Sequence, residues 1–356
     1  MEYDKNLPRQ LQELSPDWLS RVLQAKCPGI TVKAVSIEKI IPGTTTKALV
    51  HLDYDADEAG HDIPQKLCIK GEFNEELRDS FSDIETTGTQ IEADFFNELA
   101  GLLSVPVPRH WYAGAEPGMG ILILDNLESA GCRFGSPAEP WSPELVESGL
   151  EVLATLHANT WDADLPDLHW LHVGSPTTKQ YTRHLVSDTH WDSHFREAGT
   201  FQLPDEVNDS ARLMRGFETL WEHNELNARC LVHGDAHLAN TVIDQHGNPY
   251  FLDWAGVNIS NWALDVAYFI TGALTVDARR DSEKRLLDAY LAQLEKNGGP
   301  RFSHESAWHE YKLNQLHGFL WATLPDGMQS KENVHSMGNR YCTAIIDHDT
   351  LQLLGV

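Results

Sequence analysis

Residues 231–254 read LVHGDAHLANTVIDQHGNPYFLDW and contain three oxygen-bearing side chains at an informative spacing. Asp235 is followed by Asn240 after five residues and by Asp253 after 18. Phosphoryl transfer to a hydroxyl needs a carboxylate near the attacking oxygen. It also needs carboxylate and amide oxygens that hold Mg²⁺ across the nucleotide phosphates. These three side chains can supply all of those groups, so the segment indicates phosphoryl-transfer chemistry.

The same segment resembles the catalytic loop H-G-D-x-x-x-x-N of the aminoglycoside phosphotransferase and choline kinase-like superfamily. Residues 233–240 match that pattern at every position, and Asp253 corresponds to the second metal-binding aspartate of the superfamily. Residues 265–269, DVAYF, resemble its later D-x-A-Y-F segment. The sequences HGDAHLAN at residues 233–240 and LHANTW at residues 156–161 are most similar to the ecdysteroid kinase-like branch. The resemblance covers about residues 30–350.

This resemblance implies an α+β, two-lobed protein-kinase-like fold. The small β-rich N-lobe would span residues 1–124 and bind nucleotide, and the larger, mostly helical C-lobe would span residues 125–356 and hold the catalytic loop and the acceptor-binding helices. The local patterns fit such a fold. Rich β-branched content predicts strands over 32–41, 48–54 and 66–70, and apolar residues at helical spacing predict helices over 15–25, 89–103, 142–161, 282–296 and 305–323.

The match also assigns roles to the loop residues. Asp235 would orient or deprotonate the acceptor hydroxyl, while Asn240 and Asp253 would ligate Mg²⁺. His233 would be a buried anchor of the loop, and Asp265 would brace it. The alternative interpretations are structural, since an aspartate at position 235 can form a turn and Asn240 can cap a helix or turn.

In the N-lobe, Lys70 is the candidate lysine for the nucleotide phosphates, because a strand lysine facing the cleft reaches them when a helix carboxylate holds it. The segment EADFF, which begins at Glu92, resembles the superfamily's E-x-x-F-[FY] helix and makes Glu92 the partner. Glu92 also completes a T-x-x-E capping box with Thr89, so Glu98 remains an alternative partner. Lys66 is the alternative phosphate lysine.

The turn PGTTT is the candidate nucleotide loop, with the backbone amides and hydroxyls of Gly43, Thr44 and Thr45 facing the phosphates. The segment LDNL resembles the superfamily's hinge. There the backbone of Asp125 and Leu127 would meet adenine, so ATP and Mg²⁺ are the implied cofactors.

The acceptor is a small molecule whose class the sequence leaves open. A formal net charge of −26 argues against nucleic acid as a partner and suits an amine. Eleven tryptophans could instead form walls for an apolar steroid or polyketide. His237, Trp161, Trp191 and Trp321 are the candidate acceptor-binding side chains.

Other function classes compete with a small-molecule kinase. His233 and His237 lie four residues apart, as do the zinc ligands of some metal-dependent hydrolases, but HGDAH lacks the glutamate of H-E-x-x-H. The excess of acidic residues disfavours a hydroxyacyl-CoA kinase. The presence of Lys70 together with the loop residues disfavours a non-catalytic nucleotide-binding protein. The chain has no H-R-D, D-F-G or A-P-E segment, so protein substrates are not expected.

The cysteines and the apolar runs bear on location. Five widely spaced cysteines without a C-x-x-C pair are typical of a reducing compartment. No apolar run approaches the roughly 18 residues that span a bilayer, and the first residues, MEYDKNLPRQ, do not have the pattern of a signal peptide. We therefore expect a cytoplasmic protein without a membrane partner.

Overall fold

The computed structural model describes residues 7–43, 45–55, 63–73, 88–197, 201–325 and 328–356. Thr44, one of the three residues predicted to form the nucleotide loop, lies outside them. The chain divides into two compact units. The first comprises Met1–Leu102 and Val107–Cys132, and the second comprises Leu103–Pro106 and Arg133–Val356.

The first unit is built on a five-stranded antiparallel sheet in the order β1-β2-β3-β5-β4. Its strands are β1 (Thr31–Ile41), β2 (Thr46–Asp55), β3 (Lys66–Gly71), β4 (His110–Glu116) and β5 (Met119–Asp125). The three strands predicted from β-branched content are confirmed as β1, β2 and β3. Alternate residues of β2 and β3 face the core, which is the period-two pattern of a half-buried sheet.

Two helices accompany this sheet. The predicted leading helix is confirmed as α1 (Pro16–Leu23), whose first turn is capped by the Ser15 hydroxyl accepting from the Trp18 N–H. The predicted helix over 89–103 is shorter than expected, because α2 (Gly88–Glu98) gives way to a 3₁₀ turn at Ala100–Leu102. The Leu102 N–H bonds to the Leu99 carbonyl three residues back, a common tightening at helix ends.

The second unit is mostly helical. Its helices are α3 (Pro143–Asn159), α4 (Pro176–Leu185), α5 (Asp188–Trp191), α6 (Ser210–Leu226), α7 (Ala263–Ala273), α8 (Val276–Lys296), α9 (His304–Leu313), α10 (Lys331–Asp347) and α11 (Thr350–Leu353). Its short strands are β6 (Arg133–Phe134), β7 (Cys230–Val232), β8 (Thr241–Ile243), β9 (Pro249–Phe251) and β10 (Asn258–Ser260). Strands β6, β8 and β9 form one antiparallel sheet, and β7 pairs with β10.

Two predicted helices of this unit differ in extent. The helix predicted over 282–296 begins earlier, at Val276. The helix predicted over 305–323 is α9 only to Leu313, after which residues 314–323 wind as a 3₁₀ helix. This segment packs tightly on α10, where a Cβ at Gly318 would lie 2.0 Å from the Tyr341 ring.

Helix α7 is the central element of the second unit, because every one of its residues is buried. It packs against α3 and α8 in the largest apolar cluster. Asp265 is its one charged residue. A helix that is apolar all round belongs in a core, so a carboxylate placed there must have partners.

The mixed strand and helix content confirms the α+β class predicted for this chain. Within the described ranges, none of the helices is both long and apolar enough to cross a membrane.

Candidate active site

The loop after β7 is held by the carboxylate of Asp265. The N–H groups of His233 and Gly234 donate to Asp265 Oδ2 at 2.6 Å and to Oδ1 at 2.9 Å. A carboxylate that accepts two backbone N–H groups fixes both their position and their direction. The path of the chain into residue 235 is therefore set by a side chain of α7.

His157 of α3 holds Asp265 in turn. Its Nε2 lies 3.2 Å from Asp265 Oδ2, and its Nδ1 lies 2.8 Å from the Tyr290 hydroxyl of α8. Burial acts to raise the pKa of Asp265, but His157, His233 and the Gly234 N–H stabilise the charged form and hold the net pKa below the usual aspartate range. Asp265 is thus an ionised carboxylate in an apolar core.

Gly234 is required by the shape of this loop. It adopts a φ of 77°, and a Cβ there would lie 2.0 Å from the carbonyl oxygen of Gly256. Both the left-handed backbone and the close approach exclude larger residues. The central residue of the HGD motif is therefore a packing requirement of the loop.

His233 uses both ring nitrogens within the protein. Its Nε2 lies 3.0 Å from the Leu252 carbonyl, and its Nδ1 accepts from the Asp235 N–H at 3.3 Å. Burial lowers the pKa of His233, so the neutral ring with its proton on Nε2 fits both bonds. A zinc ion has no free nitrogen to bind here, and no cluster of three or more His, Cys, Asp or Glu suited to a metal occurs in the part of the chain that is described.

The Asp235 side chain is partly accessible, at 43%, and its carboxylate has side-chain donors on both oxygens. Asn240 Nδ2 donates to Asp235 Oδ2 at 2.8 Å, and His237 Nε2 lies 3.3 Å from Oδ1. The Tyr268 ring packs edge-on against His237, with 5.7 Å between the ring centroids. Desolvation acts to raise the pKa of Asp235, but the contacts with His237 outweigh it and the pKa is lowered. The group is an anion in a fixed orientation.

Asn240 and Asp253 offer the oxygen atoms that a divalent cation needs. The Asn240 amide nitrogen donates to the backbone carbonyl and the carboxylate of Asp235, so its amide oxygen is the atom that could face a cation. Asp253 follows β9 in the left-handed conformation, with φ 63° and ψ 70°. Aspartate and asparagine tolerate this region better than most residues. A carboxylate and an amide oxygen fit Mg²⁺ in their chemistry.

In the first unit, Lys70 on β3 pairs with Glu92 on α2. Lys70 Nζ lies 2.5 Å from Glu92 Oε2, and both side chains are 2% exposed. Lys66, the alternative lysine, instead makes an exposed pair with Glu38 at 3.2 Å. The capping box of Thr89 and Glu92 does not form, because α2 begins at Gly88 and the Thr89 hydroxyl donates to Glu72.

The other predicted nucleotide contacts also lie in the first unit. Gly43 and Thr45 belong to the turn between β1 and β2. The Asp125 carboxylate accepts from Trp111 Nε1 at 2.7 Å, and the Leu127 carbonyl accepts from the Cys132 N–H at 3.0 Å. The Asp125 side chain is thus engaged within the protein.

The candidate acceptor-binding aromatics occupy different settings. Trp191 is buried in an apolar cluster against Phe319, so it presents little surface to a ligand. Trp161 packs partly buried against Phe302. Trp321 is buried, and its Nε1 donates to the Tyr268 hydroxyl at 2.8 Å. Its ring centroid lies 5.0 Å from that of His237.

Three residues of this site were not predicted as functional. Tyr268 packs against His237, His157 supports Asp265, and His317 packs against Tyr268 and lines the same pocket as Gly234. Tyr268 and His157 lie inside the quoted segments DVAYF and LHANTW, so a signal existed for both. His317 is brought to the loop by the 3₁₀ segment, which no local pattern marks.

Comparison with known families follows this geometry. A family model described as the ecdysteroid kinase-like family matches residues 51–298, well over half of the chain. The chain belongs to that family. The resemblance drawn from the HGDAHLAN loop is therefore confirmed. Among curated protein sequences, none matches this ecdysteroid kinase-like chain.

Solved structures share the fold of this ecdysteroid kinase-like protein. The choline kinase LicA from Streptococcus pneumoniae is 15% identical with a TM-score of 0.51, over 94% of this chain and 98% of LicA. LicA in complex with AMP is 14% identical with the same TM-score and the same coverage of both chains. The macrolide 2'-phosphotransferase MphH from Brachybacterium faecium is 17% identical with a TM-score of 0.45, over 86% of this chain and 92% of MphH. The likeness to LicA confirms the kinase-like fold.

We predict that Asp265→Asn destabilises the ecdysteroid kinase-like chain by about 1–3 kcal/mol at neutral pH, since an amide leaves one backbone N–H of the loop without an acceptor. The free energy of unfolding is measured by chemical denaturation. Asp281→Asn, at an exposed position of α8, is the control and should change it by less than about 0.5 kcal/mol.

The pH dependence of this difference has a definite sign. The stability contributed by ionised Asp265 is complete above the unfolded pKa of about 4 and is lost as the pH falls through the lower folded pKa. The difference in the free energy of unfolding between the wild type and Asp265→Asn should therefore become smaller as the pH is lowered. If this difference in the free energy of unfolding is equal at pH 7 and pH 3, Asp265 is not an ionised carboxylate in the folded protein.

Proposed function

We propose that this protein transfers the γ-phosphate of ATP to a hydroxyl of a small organic molecule. The observation that carries the proposal is the state of Asp235, an accessible and ionised carboxylate fixed by Asn240 and His237. A hydroxyl acceptor must be oriented toward phosphorus for in-line displacement. A rigid anion on a braced loop performs that task.

Asp235 acts mainly by orientation in this proposal. Its donors stabilise the charged form, so the carboxylate is a weak base and accepts a hydrogen bond from the acceptor hydroxyl. The hydroxyl proton passes to Asp235 as the bond from oxygen to phosphorus forms and the bond to ADP breaks. His233 and Asp265 serve this step by fixing the loop.

We propose Asn240 and Asp253 as the residues that would hold Mg²⁺. The bound ion would neutralise charge on the nucleotide phosphates. In the first unit, Lys70 would contact nucleotide phosphates, with Glu92 setting the direction of its ammonium group. Gly43, Thr44 and Thr45 would offer backbone and hydroxyl donors, and the backbone at Asp125 and Leu127 would meet adenine.

The shared fold supports this proposal, since LicA is a choline kinase and one of its structures contains AMP. The hydrolase interpretation is weakened by the engaged ring of His233. A non-catalytic protein would have no need for the ordered carboxylate at position 235. For the acceptor, His237 contacts Asp235 and Trp321 packs on His237, whereas Trp161 and Trp191 pack in apolar clusters.

We also propose a cytoplasmic location and no nucleic-acid or membrane partner. The five cysteines form no disulfide bond with one another, and cysteines without disulfides are typical of a reducing compartment. The decisive experiment for the whole proposal is ATP turnover with a library of steroid, polyketide, amino alcohol and aminoglycoside-like acceptors, with the phosphorylated products identified by mass spectrometry.

Two aspartate variants should separate nucleotide binding from transfer. Asp235→Asn should retain Mg-ATP binding and lose about 100-fold or more in rate, because the positioned proton acceptor is gone. Asp253→Asn should lose both transfer and the magnesium dependence of nucleotide binding. Asparagine suits this test because it tolerates the left-handed backbone at position 253, whereas alanine adds backbone strain.

Turnover and calorimetric binding at varied Mg²⁺ are the measurements, with Asp281→Asn as the control. Wild-type rates in either active-site variant would refute the role assigned to that residue. Near-stoichiometric zinc in the purified protein would favour the hydrolase.

A second test concerns the buried ion pair. We predict that Lys70→Met with Glu92→Gln weakens Mg-ATP binding about tenfold or more, since one charge-assisted contact to the phosphates is lost. Replacing both partners leaves no uncompensated buried charge. Lys66→Met with Glu38→Gln removes the exposed ion pair between β3 and β1 and should bind Mg-ATP as the wild type does. Equal affinity of the two double variants would contradict the role of Lys70.

A further inference from the structure

Arg340 of α10 is a buried cation that is held by neutral oxygen atoms. Its side chain is only 5% exposed. The guanidinium donates to the Gly272 carbonyl at 2.6 Å, to the Pro137 carbonyl at 2.8 Å and to the Ser336 hydroxyl at 2.9 Å. Among the residues that the structure describes, no carboxylate forms an ion pair with Arg340, and burial lowers its pKa. A buried charge without a counter-ion is costly, so this position calls for a reason beyond packing.

The contact with Gly272 joins Arg340 to the end of α7. The last four carbonyls of a helix have no partner within the helix. Here Arg340 binds the Gly272 carbonyl, and the Trp141 N–H donates to the Ala273 carbonyl at 2.8 Å. A cation at this end also interacts favourably with the helix dipole. Arg340 is therefore fixed to the same helix that carries Asp265.

The contact with Pro137 holds the chain between β6 and α3, residues 135–141, which we call the connector. The Pro137 carbonyl accepts from Arg340 and also from the Ser336 hydroxyl, the latter at 3.2 Å. The Trp141 N–H is bound to α7, as described above. Arg340 and the end of α7 together fix the connector at two points.

The other end of the connector lies directly on the turn that carries Asn240. This turn is the 3₁₀ segment Leu238–Asn240. The Gly135 N–H donates to the Thr241 carbonyl at 3.0 Å, immediately after the turn. A Cβ at position 135 would lie 2.2 Å from the Leu238 carbonyl oxygen. Because no space separates the two segments, the position of the connector limits the position of the turn.

We propose that Arg340 is a positioning residue of the candidate active site. It fixes the connector to α7, the connector holds the turn, and the turn holds the Asn240 amide against Asp235. Asp265 fixes the start of the same loop, so α7 supports the loop at both ends. The consequence for Mg²⁺ rests on the function proposed above for Asn240. Arg340 itself lies outside residues 51–298, which the family model matches.

The test follows the side-chain amide of Asn240 by NMR in the full-length protein with ¹⁵N-labelled asparagine, in the absence of nucleotide and metal. Arg340→Lys keeps the positive charge, but a compact ammonium group cannot replace the planar fork that binds three oxygens. Ser336→Ala is the milder variant. It removes the hydroxyl that joins Arg340 to the Pro137 carbonyl and leaves the arginine in place.

A third variant and two controls separate the connector from α10. Gly135→Ala displaces the connector at its other end and leaves α10 unaltered. Arg301→Lys is the control variant, because Arg301 is 83% exposed and pairs only loosely with Glu295, at 3.6 Å. Asn333 is the control resonance on α10, where its amide donates to Gln329 at 3.1 Å.

We expect Arg340→Lys and Gly135→Ala to shift the Asn240 resonance, Ser336→Ala to shift it less, and Arg301→Lys to leave it in place. Gly135→Ala should not move Asn333. In calorimetry, Arg340→Lys should weaken the Mg²⁺ dependence of ATP binding about tenfold or more, as is typical when a partner behind a metal ligand is lost. ATP binding in the presence of a chelator should match the wild type. A purely structural arginine would change the free energy of unfolding and neither of these readouts.

Two results would overturn the proposal. If Arg340→Lys leaves the Asn240 resonance in place, or shifts only that of Asn333, Arg340 serves the packing of α10 alone. If Gly135→Ala leaves the Asn240 resonance in place, the turn does not depend on the connector. Should Arg340→Lys fail to fold, an unshifted Asn240 in Ser336→Ala refutes the role of Arg340.

The NMR measurement requires neither ATP nor Mg²⁺. A wild-type protein that binds no Mg-ATP would therefore refute the phosphotransferase proposal, while the Asn240 resonance would still decide whether Arg340 positions the loop.

Discussion

The second unit depends on one buried carboxylate that organises a loop far from it in sequence. Asp265 accepts two consecutive backbone N–H groups at residues 233 and 234. An unpaired anion could not remain in an apolar helix such as α7, and the loop could not hold its left-handed turn without an acceptor for those groups. The carboxylate therefore gains the hydrogen-bond donors that a buried anion requires, and the loop gains an acceptor for its two N–H groups. Asp235, Asn240 and the turn before Asp253 follow from this arrangement.

The fixed ammonium group and the hydrogen-bond donors at the candidate site differ in sign from the net negative charge of the protein. The chain has a net charge of −26, which would repel a nucleotide at long range, although salt limits such repulsion to about 10 Å. Within the sheet of the first unit, however, Lys70 is held by the carboxylate of Glu92 at 2.5 Å. In the second unit, hydrogen-bond donors surround Asp235. The fold thus fixes individual charges while the surface remains acidic.

The features that sequence could predict are those with local causes. Strands β1 to β3 follow from β-branched residues around a turn, and the loop motif identified the family because its spacing is rigid. The pairing of Lys70 with Glu92 was preferred over Glu98 from a motif, and the geometry agrees.

What the sequence did not predict depends on tertiary packing. The T-x-x-E pattern at Thr89 suggested a capping box, but Glu92 pairs with a lysine from another element. His317 gave no signal, because its place beside Gly234 depends on the way residues 314–323 pack on α10. From the sequence, Trp191 is a candidate acceptor-binding side chain. Only the fold shows that it belongs to an apolar core.

The bracing of the loop has a consequence for how the protein forms during synthesis. The hydrogen-bonded series from Tyr290 to His157 to Asp265 to His233 joins residues separated by 133, 108 and 32 positions. Contacts of such separation form late and slowly. A nascent chain that has emerged from the ribosome only as far as α7 already contains Asp235, Asn240 and Asp253, yet it lacks the hydroxyl that orients His157. The loop acquires its complete set of hydrogen bonds only after α8 has been synthesised as far as Tyr290. The catalytic loop therefore becomes fully ordered only late in the synthesis of the helical unit.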